Sequence, residues 1–283
     1  METLSDPHFW LSLAACAFVA AATALLGVTL VLRRLSYMGD GLSHIAFGAM
    51  AIATVCGLGG HLFLAVLPLV ALAAVFLLSS RGKFAIRGDA ALAMMISASL
   101  AIGYVLRHAH EEAHVHDEVA AHAGECGACD VCDTLFGTGS ITDISVGEAL
   151  SGMALALAVI VFFILFRRRI FAVSFDPEFA EVCGIRVGRW EAALAVLSAV
   201  AILLAMKLTG TLLVSAMVVF PVVVAMRFAR SFASTLLLSS LVAAATTIAG
   251  LVLAAGCKWP PGATVVLVDA LIFVLLSFKK PNV

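Results

Sequence analysis

Apolar residues follow one another in long runs along nearly the whole chain, and short polar steps separate them. A run of about 17–25 apolar residues is long enough to cross a bilayer as a helix. Such runs lie at about 11–32, 41–58, 62–80, 90–106, 146–166, 190–206, 209–227, 231–255 and 262–278. The pattern predicts an all-α polytopic membrane protein with about nine transmembrane helices. The run at 41–58 is short enough to be bent or partly re-entrant. Two longer polar segments interrupt the pattern, at about 107–145 and 167–189. The other connections are short, so residues 1–283 read as a single membrane domain.

Composition agrees: 63% of residues are hydrophobic and 12% are charged, far from a soluble domain. The net charge of −1 says little. Basic residues set the orientation, because Lys and Arg accumulate on the cytoplasmic side. With the N-terminus outside and the C-terminus inside, the inner segments hold Arg33, Arg34, Arg81, Lys83, Arg87, Arg167, Arg168, Arg169, Arg186, Arg189, Arg227, Arg230, Lys279 and Lys280. The outer segments hold only Arg107, Lys207 and Lys258. The first apolar run is preceded by Glu2 and Asp6 but by no Lys or Arg, and it is too long for a secretory signal core. No G-x-x-x-x-G-K-[ST] loop occurs, so the chain is not expected to hydrolyse a nucleotide by itself. No nucleic-acid partner is expected.

Chemistry enters at the second run. Asp40 and His44 are four residues apart, about one helical turn, and therefore share a face. A charge in the middle of a bilayer costs on the order of 2.5–3.5 kcal/mol on insertion scales, so an acid there is rarely without a task. Carboxylate and imidazole together suit a divalent transition metal.

The inner polar segment, 167–189, carries a short capped helix. Asp176 suits the cap, Pro177 the first helical position, and Gly184 the stop. Phe179, Val182 and Cys183 fall on one side of it. It reads either as an ordinary connector or as a knob that docks on a cytoplasmic partner.

Four segments in one order carry a family resemblance: Tyr37-Met-Gly-Asp-Gly-Leu-Ser-His44, Phe175-Asp-Pro-Glu-Phe-Ala-x-x-x-Gly184, Lys207-Leu-Thr-Gly-Thr through Phe220-Pro221, and Trp259-Pro-Pro-Gly-Ala-Thr. Across roughly 10–278 the chain resembles the membrane subunits of bacterial ATP-binding-cassette importers for zinc, manganese and iron. The resemblance implies an importer-type permease fold in the bacterial cytoplasmic membrane, surrounded by lipid and paired with a second copy of itself. It implies two partners, a cytoplasmic ATPase subunit and an extracytoplasmic metal-binding protein. No permanently bound cofactor is implied, and the transported ion is zinc, or manganese or iron. Asp40 and His44 match the family's intramembrane metal contacts. Asp176, Pro177, Glu178, Phe179 and Gly184 match the coupling helix that sits on the ATPase. Gly210 to Pro221 matches a pathway-facing helix that Pro221 would kink.

The outer segment, 107–145, departs from the family by an insertion at about 107–133. It gathers His108, His110, His114, His116 and His122 with Cys126, Cys129 and Cys132, that is, five of eight histidines and three of seven cysteines. This donor set favours zinc-like ions. Three readings stand: a disordered acidic loop, an accessory metal collector or sensor, and a redox or cluster site. Cys-x-x-Cys-x-x-Cys lacks the fourth cysteine an iron–sulfur run requires. Two of the three thiols could pair outside the cell. His110-Glu-Glu-Ala-His114 also fits H-E-x-x-H, the zinc-protease motif, but within an acidic loop and without a metzincin extension. Cys16, Cys56, Cys183 and Cys257 are scattered and read as packing residues.

Asp269 stands in the last run, where it either faces the dimer core or bonds to a neighbouring hydroxyl, or else takes part in transport. Met94, Met95, Met206 and Met217 read as packing rather than as soft ligands. Gly103, Gly152 and Gly210 suit close helix packing. Three functions remain: an importer subunit, an ATP-independent secondary metal carrier, and a membrane metalloprotease.

Overall fold

The computed structural model describes residues 7–57, 62–79, 88–115, 146–257 and 259–277. These residues form ten α-helices: α1 (Pro7–Leu32), α2 (Met38–Val55), α3 (Leu62–Ser79), α4 (Gly88–Val115), α5 (Val146–Phe175), α6 (Pro177–Val182), α7 (Val187–Thr209), α8 (Thr211–Phe228), α9 (Phe232–Cys257) and α10 (Pro261–Ser277). A helix occupies each predicted apolar run, and the protein is a multi-pass membrane protein. Among the described residues, four helices are long and apolar enough to cross a bilayer, within α1, α5, α7 and α9. Shorter apolar stretches lie in α3, α4, α8 and α10.

Two helices run further than the apolar pattern indicated. α4 continues past residue 106 to Val115, so the outer segment starts as helix. Its His, Glu and Ala residues can sustain a helix at the water interface, where apolarity no longer marks it. α5 runs through Arg167, Arg168 and Arg169 to Phe175, and so takes up part of the predicted inner loop. Arginine is a good helix former, so the charge marks the end of the apolar zone and not of the helix.

α1 is the central element, in contact with α5, α7, α8 and α9. Ala15, Val19, Ala22, Leu26, Val28 and Leu30 are all buried, because a helix that is apolar all round must be covered on most sides. α2 lies against α3, α4, α7 and α8, and α10 against α8 and α9. Buried small residues such as Ala24, Ala46, Ala195 and Ala225 let backbones approach, which is where packing in lipid gains its energy.

The link from α1 to α2 is tight. Arg34 N–H donates to Val31 O at 2.9 Å and Leu35 N–H to Leu30 O at 2.8 Å, the paired bonds of a Schellman stop. Arg34 takes the left-handed position at φ 59°. A side chain there costs about 1–2 kcal/mol relative to an ordinary conformation.

Of the scattered cysteines, Cys16 is buried, but Cys56, Cys183 and Cys257 are exposed. Packing therefore accounts for Cys16 only.

Candidate functional site

Asp40 lies in the first turn of α2 and His44 one turn later. The helix N-terminus favours a carboxylate there, through its unpaired N–H groups and its dipole. His44 Nε2 is 3.5 Å from Asp40 Oδ1, so the helical spacing does bring the two together. Their side chains are 19% and 41% exposed respectively, so the pair faces the open side of the chain. Among the described residues no group of three or more His, Cys, Asp or Glu could hold a metal ion.

The glycines of this segment explain how α2 is held. A Cβ on Gly39 would press on Val218 of α8. One on Gly41 would run into Leu92 of α4, and one on Gly48 into Ser99, whose carbonyl oxygen would stand 2.7 Å away. Ser99 Oγ donates to His44 O at 2.9 Å, which ties α4 to the turn that carries the histidine. Ser43 Oγ donates to Asp40 O at 2.7 Å. Gly39, Gly41 and Gly48 therefore seat α2 between two neighbours while Asp40 and His44 point elsewhere. Replacing Gly48 with alanine is expected to destabilise the protein by about 1–3 kcal/mol through overpacking against Ser99. Gly188, which has nothing within 4 Å of an added Cβ, is the control. Thermal melting in detergent should drop for Gly48→Ala and hold or rise for Gly188→Ala.

α6 forms as its caps indicate. Asp176 is extended (φ −142°, ψ 91°) and its Oδ1 accepts from Phe179 N–H at 3.0 Å, with Pro177 at the start. Gly184 sits at φ 82°, with Gly184 N–H on Glu181 O and Ile185 N–H on Ala180 O, another Schellman stop. Ala180 packs with Val173 of α5 and Val187 of α7 in a small separate core. Phe179 is 64% exposed and Val182 86% exposed. Glu178 and Cys183 are exposed as well. Large apolar side chains held out by a well-capped helix are unusual unless something covers them.

His108 is exposed on α4, and the backbone is helical at His110 and His114. The H-E-x-x-H stretch therefore lies on a helix, not in the loop that the sequence suggested. His116, His122, Cys126, Cys129 and Cys132 lie outside the described residues.

Asp269 is buried in α10 and hydrogen-bonded to the Thr246 side chain of α9, the hydroxyl partner foreseen as one of its two readings. Met206 and Met217 are buried, Met95 packs against the core from its edge, and Met94 is exposed. Pro221 lies inside the continuous helix α8.

Comparison with known proteins decides what bundle this is. The profile of the ABC 3 transport family matches residues 7–280. The chain belongs to the ABC 3 transport family. Among its relatives in the family, the manganese import system permease protein ScaB of Streptococcus gordonii is 26% identical over 100% of this chain and 95% of its own. The high-affinity zinc uptake system membrane protein ZnuB of Haemophilus influenzae is 29% identical over 91% of this chain and 92% of its own. Among solved structures, PsaBC from Streptococcus pneumoniae in complex with Fab superposes with a TM-score of 0.80 at 25% identity, covering 99% of this chain and 94% of that one.

Proposed function

We propose that this chain is the membrane permease subunit of an ATP-driven importer of a divalent transition metal, with zinc as the first candidate ion. The observation that carries the reading is the Asp40–His44 pair on α2, two metal-type side chains one helical turn apart and each partly exposed on a single chain. Relatives named for manganese and for zinc support the substrate class.

Leaving a carboxylate open to lipid is costly, so protein or water must cover that face. A second copy of the chain, related by a two-fold axis, would bring another Asp40 and His44 to the same place. Four ligands from two chains suit zinc. A shell split between two subunits is also one that their motion can open, as a carrier must. Imidazole suits zinc and carboxylate suits manganese, so the pair alone accepts either, and iron(II) too.

The partners follow from the family. A metal-binding protein delivers the ion to the outer face of the dimer. An ATPase subunit in the cytoplasm hydrolyses ATP, and α6, with Glu178 and Phe179 presented from its Asp176–Pro177 cap, seats in it. ATP-driven closure of the ATPase pair moves α6, and the helices around Asp40 and His44 exchange outer for inner access. In this arrangement nine helices cross the bacterial cytoplasmic membrane, N-terminus outside, and α6 lies on the inner surface. The outer insertion, from His108, His110 and His114 to His116, His122, Cys126, Cys129 and Cys132, acts as an accessory collector that raises the local metal concentration.

The test is uptake by the chain reconstituted in vesicles with its ATPase and binding protein, with zinc, manganese and iron(II) in competition. ATP-dependent accumulation of zinc ahead of the others is expected. Accumulation without ATP would replace the reading with a secondary carrier. Deleting 108–132 is expected to lower uptake several-fold at scarce zinc and to leave it unchanged at saturation. Equal uptake at every zinc concentration would remove the collector role. Glu111→Gln is expected to leave uptake intact, whereas a protease built on the H-E-x-x-H stretch would lose its activity.

A further inference from the structure

The end of the bundle that carries α6 holds a largely buried ion pair that ties the end of α1 to α5 and α7. Arg33, the residue after α1, has a side chain only 1% exposed. Its Nη1 donates to Glu191 Oε1 of α7 at 3.1 Å, and its Nη2 donates to Val173 O of α5 at 3.0 Å. Val173 belongs to the small core that seats α6, together with Ala180 and Val187. Glu191 lies one turn beyond Val187 on the same helix. One guanidinium thus grips both walls of the socket that holds α6. The socket is stiffened further by Trp190, which packs on Phe162 and Phe166 of α5 and under the Arg169 guanidinium, 5.7 Å from the ring centre.

The other side of Arg33 leads directly to the Asp40–His44 pair. Arg34 follows in its left-handed turn, Met38 N–H bonds to Leu35 O at 2.9 Å to start α2, and Met38 is fully buried. Asp40 comes two residues later. No flexible linker separates the grip from the pair, because the turn is closed by the two Schellman bonds and held by Leu35, partly buried against the main core.

We infer that Arg33 is a positioning residue that transmits displacement of α6 to α2 through its simultaneous hold on Glu191 and Val173 O. Motion of the socket carries the guanidinium, and the short turn carries the start of α2, so the Asp40–His44 pair shifts with α6. A planar guanidinium suits this task because it makes two directed bonds at once, which an ammonium does not match. The inference rests on the importer reading and deepens it.

The test uses the complete transporter, with ATPase and binding protein, in vesicles supplied with zinc. Removing one partner would strand a buried charge and risk the fold, whereas replacing both together with apolar side chains of similar size is often neutral. The informative variant is therefore Arg33→Met with Glu191→Met. ATP hydrolysis is expected to stay within about twofold of wild type while zinc carried per ATP falls about tenfold, the scale of one link in a coupled network. Arg33→Lys, which keeps the charge but not both bonds, should fall between them. An unchanged zinc-to-ATP ratio in the double variant, whether both activities persist or both decline together, would make the pair purely structural and overturn the inference. Wild-type transporter that accumulates no zinc with ATP would overturn the importer reading and this inference with it. An intact wild type beside an unchanged variant ratio overturns this inference alone.

Discussion

Zinc uptake by the reconstituted transporter is expected to fall at least about 100-fold when Asp40 and His44 are both replaced by alanine, and about tenfold or more for either alone. Groups that merely orient a metal ligand cost about 10–100-fold when removed, and a direct ligand should not cost less. The protein should still reach the membrane in normal amount. Both side chains are partly exposed, so their removal opens no cavity in the core. The bonds from Ser43 and Ser99 are made to the backbone carbonyls of residues 40 and 44, and alanine keeps them. The measurement is initial rate of ATP-driven zinc uptake, normalised to protein in the vesicles. Wild-type rates in both single variants would remove the pair from the pathway.

The second large effect is expected at α6. Changing Phe179 and Glu178 together to alanine should weaken binding of the ATPase subunit about tenfold or more, the scale for an exposed aromatic anchor at a small interface. Zinc carried per ATP should fall with it. The fold should be indifferent, because the cap uses the Asp176 side chain and the Phe179 backbone N–H, both of which remain. The socket is also untouched, since Ala180 and not Phe179 faces Val173 and Val187. Titrating detergent-purified permease with the ATPase subunit reads the affinity. This separates α6 from Arg33, whose loss should change the ratio of transport to hydrolysis and leave ATPase affinity as it is. Unchanged affinity in the α6 variant would return this helix to the status of an ordinary connector.

How much of this was legible in the chain differs from site to site. The Asp40–His44 pair was readable because its geometry is local: one helical turn fixes which side chains share a face. The α6 cap was readable for the same reason, since Asp176, Pro177 and Gly184 each act within a few residues of themselves. Apolarity does not show how far α4 and α5 reach, because at the water interface a helix continues on polar residues, and the H-E-x-x-H stretch lies on such a continuation. A scattered cysteine carries no periodic signal, so the exposure of Cys56, Cys183 and Cys257 is not legible in the chain.

The sequence by itself determined the class of protein, the apolar runs, the polar pair at the mouth of the second run and a capped helix between two of them. These depend on composition, on helical period and on capping, which all operate between near neighbours. Only the tertiary structure decided which helices those elements lean on. Gly39 meets Val218, Gly48 meets Ser99, Asp269 meets Thr246, and Arg33 meets Glu191 across 158 positions of chain. A glycine in the sequence leaves room for a close approach, and a buried arginine requires a partner to answer it. Which partner does so depends on how helices from distant parts of the chain pack, and packing has no period to read.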